Sequence, residues 1–269
     1  MITAYLQGGM SNQMFIYAAA KAAATRLDTD LSLNVSSFDK DSMRQYSLGL
    51  WAGVTAPLTK ELHGEIIREE GLPYSPVMVS RISKNCTLWG YFQCEQYFSD
   101  IREALEKDFT PRPLNDWGRE IEQQIKAAGQ DSIFLTIRRT DYTKSDFHGV
   151  LPYEYYRNAL NILARETNPH VFVFSDEPDW CKENLRLPYK MTVAGNYDRT
   201  TKNHLGREDQ ELYLMSLCQH AVMANSSYSW WGAYLGADRR GGKVIAPKRW
   251  FLNANEDPKD IVPSRWLSI

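Results

Sequence analysis

Ile133-Phe134-Leu135-Thr136-Ile137-Arg138-Arg139-Thr140-Asp141-Tyr142 is the stretch on which the fold turns. A nearly unbroken apolar run, cut off by two arginines and an aspartate, reads as a strand buried on both faces and ending in a polar loop. Downstream the same rhythm repeats. Tyr153 to Glu166 reads as a helix, His170 to Phe174 as a strand and Pro178 to Leu185 as a short helix. Met191 to Val193 is a strand, Glu208 to His220 a helix, Ala221 to Ala224 a strand, Trp230 to Ala237 a helix and Val244 to Ala246 a strand. Strands alternating with helices imply a parallel, doubly wound α/β sheet, and such sheets bind ligands at their strand C-terminal ends. The residues there are Arg138, Ser175-Asp176, Gly195 and Asn225-Ser226.

Upstream, Ile2 to Leu6 reads as a strand, Gln7 to Ser11 as a turn, and Asn12 to Leu27 as a helix carrying two Ala triplets, the best helix formers. Leu31 to Val35 alternates like a strand. Residues 36–80, broken by Pro57, Gly64, Gly71, Pro73 and Pro76, read as short helices and loops. Cys86 to Phe92 is a strand; Asp100 to Phe109 and Asp116 to Ala128 are helices. The reading is one α/β domain over 1–128 and another over 129–269, with the cleft between them as the default site.

Composition narrows the class. Apolar residues make up 43% and charged residues 24% of the 269, which excludes a disordered or fibrous chain. A net charge of −2 disfavours a nucleic-acid partner. No signal-like leader and no run of 18 apolar residues occurs, so the expectation is a cytoplasmic protein with no transmembrane segment. The four cysteines form no CxxC, and His is scarce, so neither a zinc site nor a disulfide framework is expected.

Four stretches carry chemistry. Gly8-Gly9-Met10-Ser11-Asn12-Gln13 joins a strand to a helix, so glycines permit close ligand approach beside the helix N-terminus. Gly9, Ser11 and Asn12 are its candidate ligand residues, with Gln13 a further side-chain donor suited to a phosphate or hydroxyl. Arg138 and Arg139 present forks suited to phosphate, with Asp141 to orient one of them or accept a proton; the plainer reading is a structural Arg–Asp pair. Ser175-Asp176-Glu177 suits hydroxyls or a guanine edge, the plainer reading being a cap for the helix of Trp180. Asn225, Ser226, Ser227, Tyr228 and Ser229 offer hydroxyls and N–H groups for a neutral phosphate cradle. Two DxD matches, Asp28-Thr29-Asp30 and Asp39-Lys40-Asp41, sit in loops away from these residues, and no metal site is read into them.

Taken in order, these stretches resemble the α-1,2-fucosyltransferases of glycosyltransferase family 11. Residues 8–15 look like the family's Gly-Gly-x-Gly-Asn-Gln-Met-Phe opening, and Arg138-Arg139-Thr140-Asp141-Tyr142 is similar to its H-x-R-R-x-D-Y motif. Phe174 to Glu177 with Trp180, and Asn225 to Leu235, look like its remaining signatures. The resemblance implies two Rossmann-like domains of GT-B type facing a cleft, GDP-fucose as donor, inversion, and no metal or other cofactor. It further implies a galactoside-terminated glycan acceptor, as in O-antigen synthesis, met by peripheral contact where membrane-linked. Arg138 would bind the β-phosphate, Ser227, Tyr228 and Ser229 would cradle the pyrophosphate, Asp176 would read guanine, and Asn12 would face the reacting centre. Asp141, then Asp146, are the base candidates, alongside late proton transfer with no dedicated base. Acceptor contacts are expected from loops 36–80 and 143–152. Two positions depart from the pattern: Ser11 stands for a glycine and Thr136 for the histidine. The alternatives are transfer of another GDP-sugar or to another position, and a nucleotide- or glycan-binding protein without activity.

Overall fold

The computed structural model describes residues 1–195, 207–252 and 256–269. Its contacts divide the chain into two compact units, one of residues 1–110 and 256–263, the other of 111–255 and 264–269.

The first unit runs β1 (Ile2–Tyr5), α1 (Met10–Arg26), β2 (Leu31–Asn34), β3 (Leu58–Thr59), β4 (Glu65–Arg68), α2 (Pro76–Ser80), β5 (Cys86–Trp89) and α3 (Arg102–Asp108). All pairings in its sheet are parallel, in the order β3-β2-β1-β5-β4. The Ala-rich α1 is buried almost all round, from Met10 to Ala24 with only Asn12 and Lys21 less covered. Small alanines let it lie close over the sheet without needing a polar face.

The second unit runs α4 (Asp116–Ala128), β6 (Ser132–Ile137), α5 (Tyr153–Leu163), β7 (His170–Ser175), α6 (Pro178–Asn184), β8 (Lys190–Val193), α7 (Glu208–Leu217), β9 (His220–Val222), α8 (Ser227–Leu235), β10 (Val244–Ala246) and β11 (Leu267–Ser268). This sheet too is wholly parallel, ordered β11-β10-β9-β6-β7-β8. Every residue of β6 and β7 is buried, as their unbroken apolar runs require. Ile133, Leu135, Val171, Val173, Val222 and Ile245 pack against Tyr155, Ala159, Leu160 and Leu163 of α5.

The boundary falls at 110, not 128, because α4 is fastened to α7. The Asn115 N–H donates to Gln210 Oε1 (2.8 Å), and Gln210 Nε2 donates back to Asn115 Oδ1 (3.0 Å). Tyr213 of α7 donates to Glu122 of α4 (3.1 Å). A Cβ at Gly118 would lie 2.5 Å from the Gln210 side chain, so the helices touch where α4 has no side chain. Residues 256–263 join the first unit, where the Tyr74 N–H donates to Asp260 Oδ2 (2.9 Å). Three short edge strands, β3, β4 and β11, escape a sequence reading that expected loops or nothing there. The four cysteines are buried free thiols. Among the described residues, no helix is long and apolar enough to cross a membrane.

Candidate active site

In the second unit the chain lays down β6, β7 and β8 outward in one direction, then returns to place β9 on the other side of β6. The loops leaving β6 and β9 therefore part, and a crevice opens at their C-terminal ends, the usual ligand position in such sheets. Those loops are Arg138–Asp141 and Ala224–Ser227.

Asp176, just beyond β7, organises the first loop from beneath. Its Oδ1 accepts the Arg139 N–H (3.0 Å), and its Oδ2 accepts the Thr140 N–H (3.2 Å) and the Thr140 hydroxyl. The same Oδ2 lies 3.3 Å from Arg138 Nη1, and the carboxylate is 7% exposed. Arg138 Nη2 donates to Asp141 Oδ1 (2.8 Å), and its guanidinium carbon stands 5.2 Å from the centre of the Tyr142 ring. Burial pulls the Arg138 pKa down, but Asp176 and Asp141 together outweigh it and leave the pKa raised. Burial pushes Asp141 up, yet the Arg138 charge and the Thr140 hydroxyl outweigh that and hold it below the usual carboxylate range. The result is a permanently charged fork, one third exposed, with its orientation set from two sides.

The structure reassigns several expected donor ligands. Arg139 turns away from Arg138: its Nε donates to Glu177 (2.8 Å) and its guanidinium stacks 3.7 Å above Trp180. The Ser175 hydroxyl accepts the Glu177 N–H (3.0 Å) in the turn before α6, where Glu177 is the cap residue and no side chain caps the helix. Ser229 is 2% exposed, and its hydroxyl bonds to that of Thr136 (2.7 Å), so it faces the core rather than a pyrophosphate. Asn225 spends its amide N–H groups on the carbonyls of His148 (3.0 Å) and Trp250 (2.9 Å), joining three loops. The Tyr228 hydroxyl donates to the Glu208 carbonyl (2.7 Å). What faces the crevice is Arg138 with the half-buried Ser226–Ser227 turn at the N-terminus of α8, where the helix dipole favours an anion.

Thr136, the departure from the family histidine, has a structural explanation. Its hydroxyl accepts the Ala224 N–H (2.7 Å) besides bonding Ser229, pinning the β9 loop and α8 to β6. Thr136→Val keeps the shape and leaves a buried N–H and a buried hydroxyl without partners. A loss of about 1–3 kcal/mol is expected in denaturant unfolding; an unchanged midpoint would show that the hydroxyl pins nothing.

The first unit has its own crevice, where β2 and β5 flank β1. Gly8 takes φ +73°, and Asn12 of α1 lies so close above it that a Cβ would meet Asn12 Nδ2 at 2.8 Å. Ser11 sits within α1 and is 8% exposed, so the helix accommodates its Cβ and the glycine is not needed there. Gly9 precedes α1 as its cap residue, in extended conformation. Gln13 is fully buried and holds the turn, its Nε2 donating to the carbonyls of Gly8 (2.9 Å) and Gln45 (2.8 Å).

Beside this turn lies a loop that the sequence reading had run into its strand, Gly90–Gln93: β5 ends at Trp89, not Phe92. Glu69 Oε2 accepts the N–H groups of Tyr91 (2.7 Å) and Phe92 (2.8 Å). Phe92 is held at φ +51°, which costs a residue other than glycine about 1–3 kcal/mol. Gln93 Nε2 donates to Asn12 Oδ1 (2.9 Å). Burial pushes the Glu69 carboxyl up to about 7, against the lowering effect of the Phe92 and Tyr91 N–H groups and Tyr97. The folded chain therefore binds this proton more tightly than the unfolded one. Its stabilisation is complete below the ordinary glutamate range and is lost as pH rises through about 7. A thermal midpoint falling between about pH 5 and about pH 8 is expected, with a shallower fall in Glu69→Gln; equal slopes would contradict it.

Of the DxD matches, Asp28-Thr29-Asp30 lies between α1 and β2, at the N-terminal edge of the sheet, and Asp39 pairs with Lys60 (2.8 Å). Among the described residues, no group of three or more His, Cys, Asp or Glu is placed to hold a metal ion.

Comparison with known proteins bears on family and fold. The family described as Glycosyl transferase family 11 matches residues 65–269. An alpha-1,2-colitosyltransferase of Escherichia coli is 28% identical over 296 residues, spanning 100% of this chain and 99% of its own length. The human galactoside alpha-(1,2)-fucosyltransferase 1 is 28% identical over 199 residues, spanning 66% of this chain and 51% of its own length. Among solved structures, the fucosyltransferase NodZ from Bradyrhizobium superposes with a TM-score of 0.53 at 11% identity, covering 87% of this chain and 93% of NodZ. A mutant of Arabidopsis thaliana FUT1 in complex with GDP gives 0.53 at 12% identity, covering 97% of this chain and 74% of FUT1. At such identities these two speak for the fold, two Rossmann-like units of GT-B type. With the family match covering most of its length, the chain belongs to glycosyltransferase family 11 and is a glycosyltransferase.

Proposed function

We propose that the chain transfers L-fucose from GDP-fucose to the 2-hydroxyl of a terminal galactoside, with inversion at the anomeric carbon and without a metal ion. The observation that carries this reading is Arg138: a charged fork, held by Asp176 and Asp141, at the switch point of the second sheet and beside the α8 N-terminus. Such a fork suits the diphosphate of a nucleotide-sugar, whose charge grows as the glycosidic bond breaks.

In this mechanism the acceptor hydroxyl attacks the face of the sugar opposite the diphosphate, through an oxocarbenium-like transition state. Arg138 and the Ser226–Ser227 turn stabilise the departing GDP. Asp141 is then an orienting group rather than the base, because it is ion-paired to the guanidinium that holds the leaving group and its proton affinity is low. Asp176 supports the loop rather than reading guanine, since loop N–H groups occupy both its oxygens.

A second donor is favoured by one observation: a relative spanning the full chain is named an alpha-1,2-colitosyltransferase. The test follows GDP release from GDP-fucose and from the corresponding colitose donor, with lactose as acceptor and EDTA throughout. Acceptor-dependent release in EDTA with an α-1,2-linked product supports the reading. Release that stops with EDTA removes the metal-free part, and the preferred donor decides between the sugars.

A further inference from the structure

The first unit places a second side-chain amide, that of Gln93, beside Asn12. Gln93 closes the loop after β5 and Asn12 lies in the first turn of α1 after β1, and these strands are neighbours in the sheet. One bond joins the amides, from Gln93 Nε2 to Asn12 Oδ1 (2.9 Å). Asn12 Nδ2 and Gln93 Oε1 make no hydrogen bond to any described residue, and both side chains are partly open to solvent. The Asn12 amide N–H groups and the Gln93 amide oxygen are thus left for a ligand, on two side chains joined by that bond.

The loop bearing Gln93 is rigid. A Cβ at Gly90 would sit 2.4 Å from Glu69 Cβ, so Glu69 closes over the glycine and takes the next two N–H groups. The Phe92 ring is fully buried, edge-on to Tyr97 at 5.4 Å between centroids. The Cys94 N–H donates to the Phe92 carbonyl (2.8 Å), so both ends of the Gln93 backbone are fixed. Beside it, Trp89 at the end of β5 stacks on Tyr5 (3.9 Å), with Arg68 on its other neighbouring strand 3.9 Å from the ring.

We infer that Gln93 is a substrate-binding residue, forming with Asn12 an amide pair that grips two neighbouring hydroxyls of a pyranose, and that Glu69 is the positioning residue that holds it. A vicinal diol can accept from an amide N–H with one hydroxyl and donate to an amide oxygen with the next, and the pair offers both. Donor and acceptor sugars share this chemistry. The inference rests on the transferase reading above.

The experiment measures kcat and KM for donor and acceptor separately in the wild type, Gln93→Ala, Gln93→Met, Glu69→Ala and Glu69→Gln. Gln93→Ala and Gln93→Met are expected to raise KM for one substrate about tenfold with an unchanged unfolding midpoint. Whichever KM rises names the sugar held. A substrate analogue lacking the gripped hydroxyl loses nothing further in these variants. Glu69→Gln, which keeps an acceptor for both N–H groups, retains the wild-type KM, while Glu69→Ala shares the Gln93→Ala defect. Values for both substrates within about twofold of an active wild type overturn the inference alone. A wild type that does not turn over overturns the transferase reading and this inference with it.

Discussion

Arg138→Ala is expected to lose about 10²–10³-fold in kcat, the usual consequence of removing a preorganised charge from a developing anion. Folding should survive: Asp176 keeps its bonds to the Arg139 and Thr140 N–H groups, and Asp141 is half exposed, so neither carboxylate is stranded in the core. Arg138→Lys should recover little. A lysine offers a point charge, whereas here the two ends of the fork are already divided between Asp141 and Asp176, and their alignment sets where its remaining N–H groups point. Steady-state kinetics with a parallel thermal melt checks both. A kcat within a few-fold of wild type would remove Arg138 from the chemistry.

The second large effect belongs to Asp176. Asp176→Ala strips the acceptor from two backbone N–H groups and the Thr140 hydroxyl, and leaves Arg138 with Asp141 alone. A stability loss of about 3–5 kcal/mol is expected, as for breaking a buried charged pair. Asp176→Asn is the informative variant, since it keeps the size and part of the bonding. Its kcat should drop by about 10–100-fold, a few kcal/mol in the barrier at most. Combined with Arg138→Ala it should cost nothing more, because both variants disable the same group. A guanine-reading Asp176 would behave differently: Asp176→Asn would relax the preference for GDP over ADP, and the two losses would multiply. That pattern would return Asp176 to base recognition.

Much of this was legible in the chain. β6 and β7 announce themselves because both faces are buried and, His170 apart, every position is apolar or small. The polar residues at their ends mark the crevice for the same reason: nothing else justifies charge there. Which of two adjacent residues faces the ligand was not legible. Arg138 and Arg139 read alike, yet Trp180 and Glu177, contributed by a later strand–helix turn, draw Arg139 away. The hydroxyls of Ser227 and Ser229 also read alike, until Thr136 on β6 is seen to claim Ser229. The boundary at 110 was hidden because α4 is fixed by Gln210, far along the sequence. β4 was missed because its pattern is mostly exposed, with only Ile67 fully buried. Gly90–Gln93 had a signal, a glycine and an amide directly after a strand, as Gly8–Asn12 has after β1. Its partner Glu69 came from the stretch that proline and glycine had made look like loop.

Whether Arg138 grips the β-phosphate of a guanine nucleotide is read by calorimetric titration of GDP against GMP. The wild type should bind GDP at least about tenfold more tightly than GMP, the weight of one charge-assisted fork, and Arg138→Ala should bring the two affinities together. Equal affinities in the wild type, or a GDP preference that survives in Arg138→Ala, would contradict the account.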